Sequence, residues 1–211
     1  MHFLKKPLFA VLALALMFNL TACDKGGGAQ DSGKRTFSSA IAFNDFIVDE
    51  QNKIIKVMLA FSNHETAMSD KALGNEMIDD IVKTTEEAIE ALDGVEPYEE
   101  GETLLKSAKA LFQFYHDMAD KDYREMVDII SKGEDMTDAD LARIDEIALD
   151  VEKREVPLDN AFADAQAAFA KHYGMQIRKN EMQDEIDRRS PRSTPRCWKK
   201  AYTPTVNFKN Y

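Results

Sequence analysis

Between Glu102 and Lys132 apolar side chains recur at steps of three and four residues. Leu104, Ala108, Leu111, Tyr115, Met118, Met126 and Ile129 follow one seam, flanked by Leu105, Phe112, Ala119 and Ile130. An α-helix turns every 3.6 residues, so this spacing gathers the apolar groups on one stripe, whereas a strand would scatter them over two faces. At 1.5 Å per residue the helix is roughly 45 Å long. A stripe of that length has to be covered, and the chain must supply other helices of comparable length to cover it. Asp122 is the one polar break in the seam, open to a partner helix, a water or the helix end, and no catalytic role is read into it.

Three further segments carry the same period. Phe43, Ile47, Ile54, Met58 and Phe61 predict a first helix from about Ser39 to near Asn63. Ser69 or Asp70 offers the cap of a second, whose stripe is Leu73, Met77, Ile81, Ala88 and Leu92 and whose left-handed stop is Gly94. Gly133 ends the third. Thr137, followed three residues later by Asp140, opens a fourth through Leu141, Ile144, Ile147, Ala148 and Val151. Pro157 removes a hydrogen bond and clashes with the preceding turn, so a kink or a break is expected there. The pattern resumes at Leu158, Ala161, Phe162, Ala165 and Phe169 and stops at Gly174. The short connections predict an all-α domain over residues 39–175, an up-down-up-down bundle of four long helices with the fourth kinked or broken at Pro157.

The N-terminus has a different layout: Lys5 and Lys6, an apolar run from Leu8 to Phe18, then Thr21 and Ala22 before Cys23. A charged start, a short apolar run and small residues form an export signal. Asn19 breaks the run before the about 20 apolar residues that a spanning helix needs. Leu20-Thr21-Ala22-Cys23 resembles the lipobox of bacterial lipoproteins. The resemblance implies that residues 1–22 are removed by cleavage between Ala22 and Cys23, that the Cys23 thiol carries a diacylglyceryl group, and that the new amino terminus gains a third acyl chain such as palmitate. Each buried methylene contributes about 0.8 kcal/mol, and two or more chains anchor stably where one is marginal. Asp24 resembles the inner-membrane retention signal of enteric lipoproteins. Other bacteria do not follow that rule uniformly, so inner membrane, outer membrane and surface display stay open within a bacterial cell envelope. The alternative for Cys23 is an ordinary signal cut elsewhere and a free thiol.

Behind the cysteine, residues 23–38 include Gly26-Gly27-Gly28, Gln30, Asp31, Ser32 and Gly33, with Phe37 the only large apolar residue, and read as a flexible lipidated tether. The chain has 27 basic and 38 acidic residues, a net charge of −11, which argues against nucleic acid as a partner and leaves membrane affinity to the lipid. Only Cys23 and Cys197 are present, so acylation of Cys23 precludes an intrachain disulfide. Residues 176–211 form a polar to basic tail without helical period, expected to be disordered. Its end carries seven basic residues from Arg188 to Lys209 and no acid after Asp187, which leaves 20 basic residues against 38 acids in the rest. Two readings stand for it: a basic tail that meets anionic lipid or folds back on the acidic body, and an extension beyond a natural end near Ser190. The body segments from Asn44 to Ile54 and from Ala165 to Met175 resemble the first and last helices of small uncharacterised bacterial surface lipoproteins, a resemblance that implies architecture and brings no activity.

Reaction chemistry is sparse. His64, His116 and His172 lack the Glu-x-x-His or His-x-x-x-His spacing of a metal-binding bundle, and no metal or cofactor is expected beyond the lipid on Cys23. Glu86, Glu87, Glu90, Asp93, Glu96, Glu99, Glu100 and Glu102 crowd one loop without a basic residue among them. They lack the Asp-x-Asp-x-Asp-Gly spacing of a helix-loop-helix calcium site and read as a solvated acidic end. Asp135, Asp138 and Asp140 suit a helix start. Phe112 and Tyr115 fit the buried stripe, while Phe114 falls to one side as a partly exposed candidate contact. The expectation is a non-enzymatic binding or structural module with an envelope protein as partner, no catalytic residues and no metal. The alternative is a cation or small-ligand site inside the bundle or at its acidic end.

Overall fold

The computed structural model describes residues 34–176 together with the backbone of β1 (Phe18–Asn19) and β2 (Arg178–Lys179). Apart from β1, the expected signal lies outside the described residues. So do the tether up to residue 33 and the tail beyond 179, and with them Ala22, Cys23, Asp24 and Cys197. The two strands pair antiparallel, Phe18 opposite Lys179. The described body is all-α.

Helix α1 spans Ala40–Asn63, and α2 spans Lys71–Asp93. The Ser39 hydroxyl accepts from the Ala42 N–H at 3.1 Å, and Asp70 accepts from Ala72 and Leu73, so each helix starts where a side chain takes up orphan donors. Gly94 ends α2 at φ −74°, not in the left-handed conformation expected of it. The chain leaves instead through Val95, which lies beside Arg35. Arg35 N–H donates to the Gly94 carbonyl, and Glu96 N–H donates to that of Arg35. The Arg35 guanidinium lies 4.3 Å from the centre of the Phe46 ring, and Phe37 meets Phe43 edge-on. Packing therefore begins at Arg35, before the helical period does.

On α2 the buried residues of the first turns are Gly74 and Ile78 rather than Leu73 and Met77. Gly74 lies so close to the Ala67 carbonyl that a β-carbon would collide with it, while Ile81, Ala88 and Leu92 are buried as expected.

The long seam forms one helical rod in three parts, α3 (Glu102–Asp117), a π-helical turn (Met118–Tyr123) and α4 (Arg124–Ile130). A π turn carries an extra residue and advances the phase of everything after it. Tyr123 consequently enters the core in place of Asp122, which moves to the flank. Gly133, with φ +60°, follows the rod.

Helix α5, Asp138–His172, opens with a reciprocal capping box: Thr137 accepts from the Asp140 N–H, and the Asp140 carboxylate accepts from that of Thr137. It is assigned as one 35-residue helix through Pro157, so the expected break is absent. Pro157 lies on the exposed side, where the carbonyl deprived of a donor can be served by water. Gly174 has φ +65° at the far end. No helix among the described residues is long and apolar enough to cross a membrane.

The principal packing faces are α1 on α2, α2 on α3 and α3 on α5. Phe43, Ile47, Ile54, Phe61, Ile78, Ile81, Leu111, Phe112 and Phe162 are among the residues that fill the core. Contacts fix the directions. Asp93 meets Lys109 while Asp79 meets Arg124, and Tyr115 meets Asp159 while Asp122 meets Arg154, so α2 and α5 each run antiparallel to the central rod. Helix α1 begins with Phe43 on Phe169 of α5 and ends with Phe61 stacked on Tyr123.

Candidate functional site

Helices α1, α2 and α5 each carry polar residues inside their apolar stripes. In α1 the seven-residue step from Ile47 to Ile54 passes over Gln51, which has no exposed surface; Asn44 lies one heptad earlier and is equally buried. In α2 the step from Ile81 to Ala88 passes over Thr85, whose hydroxyl donates to the Ile81 and Val82 carbonyls and so costs the core nothing. In α5 the buried positions after Val151 are Glu155, Asp159, Phe162, Ala163, Ala165, Gln166, Phe169 and Ala170, with Glu155 4% and Asp159 3% exposed. The expected restart at Leu158 and Ala161 is corrected: Leu158 is half-buried and Ala161 exposed. A helix that continues through Pro157 keeps its phase, and the phase of Val151 leads to Glu155 and Asp159.

These groups form a polar seam where α1 and α5 approach the central rod. The Gln166 amide donates to the Asn44 amide oxygen at 2.9 Å, and the Tyr115 hydroxyl donates to Asp159 Oδ1 at 3.3 Å. Both amide atoms of Gln51, Asp159 Oδ2 and Gln166 Oε1 are buried without a hydrogen-bond partner. Buried polar atoms are ordinarily paired with protein or ordered water, so four orphans in one seam are a local exception. No basic side chain offsets the two carboxyls. Arg154, the nearest in sequence, reaches Asp122 at 2.6 Å and Asp150 at 2.8 Å and lies against the Phe114 ring.

Burial dominates the protonation of this cluster. It raises Glu155 to about 9, with the negative charges of Asp159 and Glu152 adding to the effect. It raises Asp159 to about 7, against the opposing hydrogen bond from Tyr115. The Tyr115 hydroxyl is pushed upward by burial and by Asp159 and Glu155, and that of Tyr123 by burial, Glu155 and Asp122. Near neutral pH the pair therefore holds on the order of one proton more than two exposed acids would.

The other expected candidates separate from this seam. His116 stands between Glu86 and Asp117, each at 3.3 Å, and neither His64 nor His172 approaches it. No group of three or more His, Cys, Asp or Glu side chains among the described residues is disposed to hold a metal. The acidic loop does find partners, from outside its own segment: Glu86 meets His116, Asp93 meets Lys109, and Glu99 accepts from the Tyr173 hydroxyl at 2.9 Å. Asp140 serves the capping box and Lys132, which together hold its carboxyl down at about 2. Phe114 is not a surface contact: only 6% is exposed, beneath Arg154 and beside Tyr115. Sequence reading missed Gln51, Glu155 and Asp159, although a signal was there, a polar residue wherever the stripe skips a full seven.

Compared with known proteins, the chain matches no family model, and no curated protein or solved structure shows significant similarity to it.

Proposed function

We propose that the chain is a lipid-anchored protein of a bacterial cell envelope whose all-α body is a non-enzymatic binding or structural module. The observation that carries this reading is Leu20-Thr21-Ala22-Cys23 behind a charged start and an apolar run. In this reading Cys23 bears the diacylglyceryl and N-acyl chains, Asp24 bears on the choice of membrane, and the body meets an envelope protein partner while the lipid meets the bilayer. The body is an up-down-up-down bundle whose third and fourth rods are the α3–α4 rod and α5, the latter bending at Pro157. Cleavage after Ala22 would take Phe18–Asn19 away with the signal and release Arg178–Lys179 from its pairing. The test is incorporation of labelled fatty acid in bacterial cells. Wild-type protein is expected to be labelled and Cys23→Ala unlabelled; label persisting in the variant would overturn the anchor.

One observation favours a second reading, that the body takes a cation or small ligand in its interior: the buried seam leaves Gln51 and Asp159 with unmet hydrogen-bonding groups.

A further inference from the structure

Helix α5 is tied to its neighbours differently on the two sides of Pro157. Before it, Asp140 meets Lys132, Arg143 meets Glu125 and Arg154 meets Asp122, each at 2.6 Å. After it, no ion pair among the described residues joins the helix to the rest of the body. The arm from Leu158 to His172 is held by the burial of Phe162, Ala165 and Phe169, and by hydrogen bonds from Tyr115 to Asp159 and from Gln166 to Asn44. Just past its end the Tyr173 hydroxyl donates to Glu99. Pro157 itself offers no N–H to the Lys153 carbonyl, so one rung of the helix ladder is missing at the junction. The buried acids Glu155 and Asp159 stand one on either side of that missing rung.

We propose that Pro157 and its two flanking carboxyls form a pH-operated hinge: the arm from Leu158 to His172 stays closed on the rod while Glu155 and Asp159 are protonated, and swings off when they ionise. This goes beyond the reading above and requires neither lipid nor ligand. A buried carboxylate has to find a cation or water, and the surroundings supply no cation. Tyr115 faces the pair from α3, and Tyr123 and Asp122 face it from the π turn. On α4 the contact is Glu125, already paired with Arg143, and on α1 the residues that meet α5 are Phe43 and Asn44, neither of which ionises. Within α5, Glu152 adds a like charge, while Arg154 is committed to Asp122 and Asp150. Water is then the remaining partner. Bending at the missing rung carries Asp159 out to it and lets it reach Glu155, while the ion pairs before Pro157 keep the first part of α5 in place. Burial of Phe162 and Phe169 resists the movement, which keeps the arm closed at low pH. Because the closed form holds Asp159 up at about 7 and Glu155 at about 9, opening releases protons and grows as pH rises through the neutral range.

A helical arm of this length is marginal in water by itself, so its amides exchange once it leaves. The test is hydrogen–deuterium exchange of the full chain in detergent at pH 6, 7 and 8, with each amide rate divided by its unstructured-peptide rate at the same pH. The amides from Ala163 to Ala170 are expected to be less protected than those from Ile78 to Ala88 at every pH, and to lose protection by at least about tenfold per pH unit. Glu155→Gln combined with Asp159→Asn keeps the side-chain volumes and should hold the arm's protection constant from pH 6 to pH 8. Pro157→Ala restores the rung and should raise the arm's protection at pH 8 more than that of α2. Equal protection in the arm and in α2 at every pH would overturn the hinge, because the body would then open only as a whole. So would a wild-type arm indifferent to pH, an arm that still loosens with pH in the double variant, or one that opens as readily in Pro157→Ala as in wild type.

Discussion

The boundary between α2 and the central rod and the boundary of α5 with that rod and the start of α1 are built from the same acid-rich chain, with opposite use of it. At the first, Asp79, Asp93 and Asp128 stand in solvent, each within 3 Å of Arg124, Lys109 or Lys71, while Ile78, Ile81, Ala88 and Leu92 fill the interior. At the second, Asn44, Gln51, Glu155, Asp159 and Gln166 are inside and no cation follows them in. Exposed pairs of the first kind contribute little, a median of about 0–1 kcal/mol, because water and salt screen them. Unpaired buried carboxyls of the second kind are costly, and they hold protons instead. The first boundary holds the body together through apolar burial. The second spends part of that stability on polar groups, and it is the only place among the described residues where chemistry is concentrated.

The comparison breaks if truncations at the two boundaries act alike. Leu111→Ala, in the apolar interior, is expected to lower the urea-unfolding free energy by about 3–4 kcal/mol, as the lost transfer energy and the cavity add. Glu155→Gln is expected to act in the other direction. In chelator the variant should be more stable than wild type by about 2 kcal/mol or more at pH 9, with the difference nearly gone at pH 5.

The direction follows from linkage. Glu155 and Asp159 have folded-state values of about 9 and about 7, above the 4.5 and 3.8 of exposed groups. The folded protein therefore keeps protons that the unfolded chain has released. Their contribution is fully present below those lower values and is lost as pH rises through about 7 and then about 9. Wild-type midpoints should accordingly fall from pH 5 to pH 9, and a Glu155→Gln, Asp159→Asn double variant should flatten that slope. An unchanged slope would show that these two groups are solvated in solution.

The smallest effect belongs to the first boundary's surface. Arg124→Ala, which removes the contacts to Asp79 and Asp120, is expected to cost about 0.5 kcal/mol in low salt and less at 1 M salt. A loss that salt does not diminish would mean that the arginine's apolar stem, rather than its charge, supports the packing.

Much of the fold could be read before the structure. Ser39, Asp70 and Thr137 are the observed caps, and the ends of α1 and α2 fall at Asn63 and just before Gly94, because capping and period are local properties. Two of the errors concern the phase of a helix past an irregularity. A π turn put Tyr123 rather than Asp122 in the core, and continuity through Pro157 carried the stripe to Glu155 and Asp159. An apolar stripe read as restarting after proline hides the polar residues that bridge the gap. The candidate site was hidden there.

The sequence by itself determined that the body is helical, where its helices begin and that it is strongly acidic. These depend on neighbours within a few residues or on simple composition. Only the tertiary structure decided that Tyr115 meets Asp159 and that Asn44 meets Gln166, since residues 44 and 122 positions apart come together only when their helices pack. It also decided which carboxylates meet a cation and which do not, because an acid's environment depends on the helix face that packing buries, and packing is a property of the whole chain.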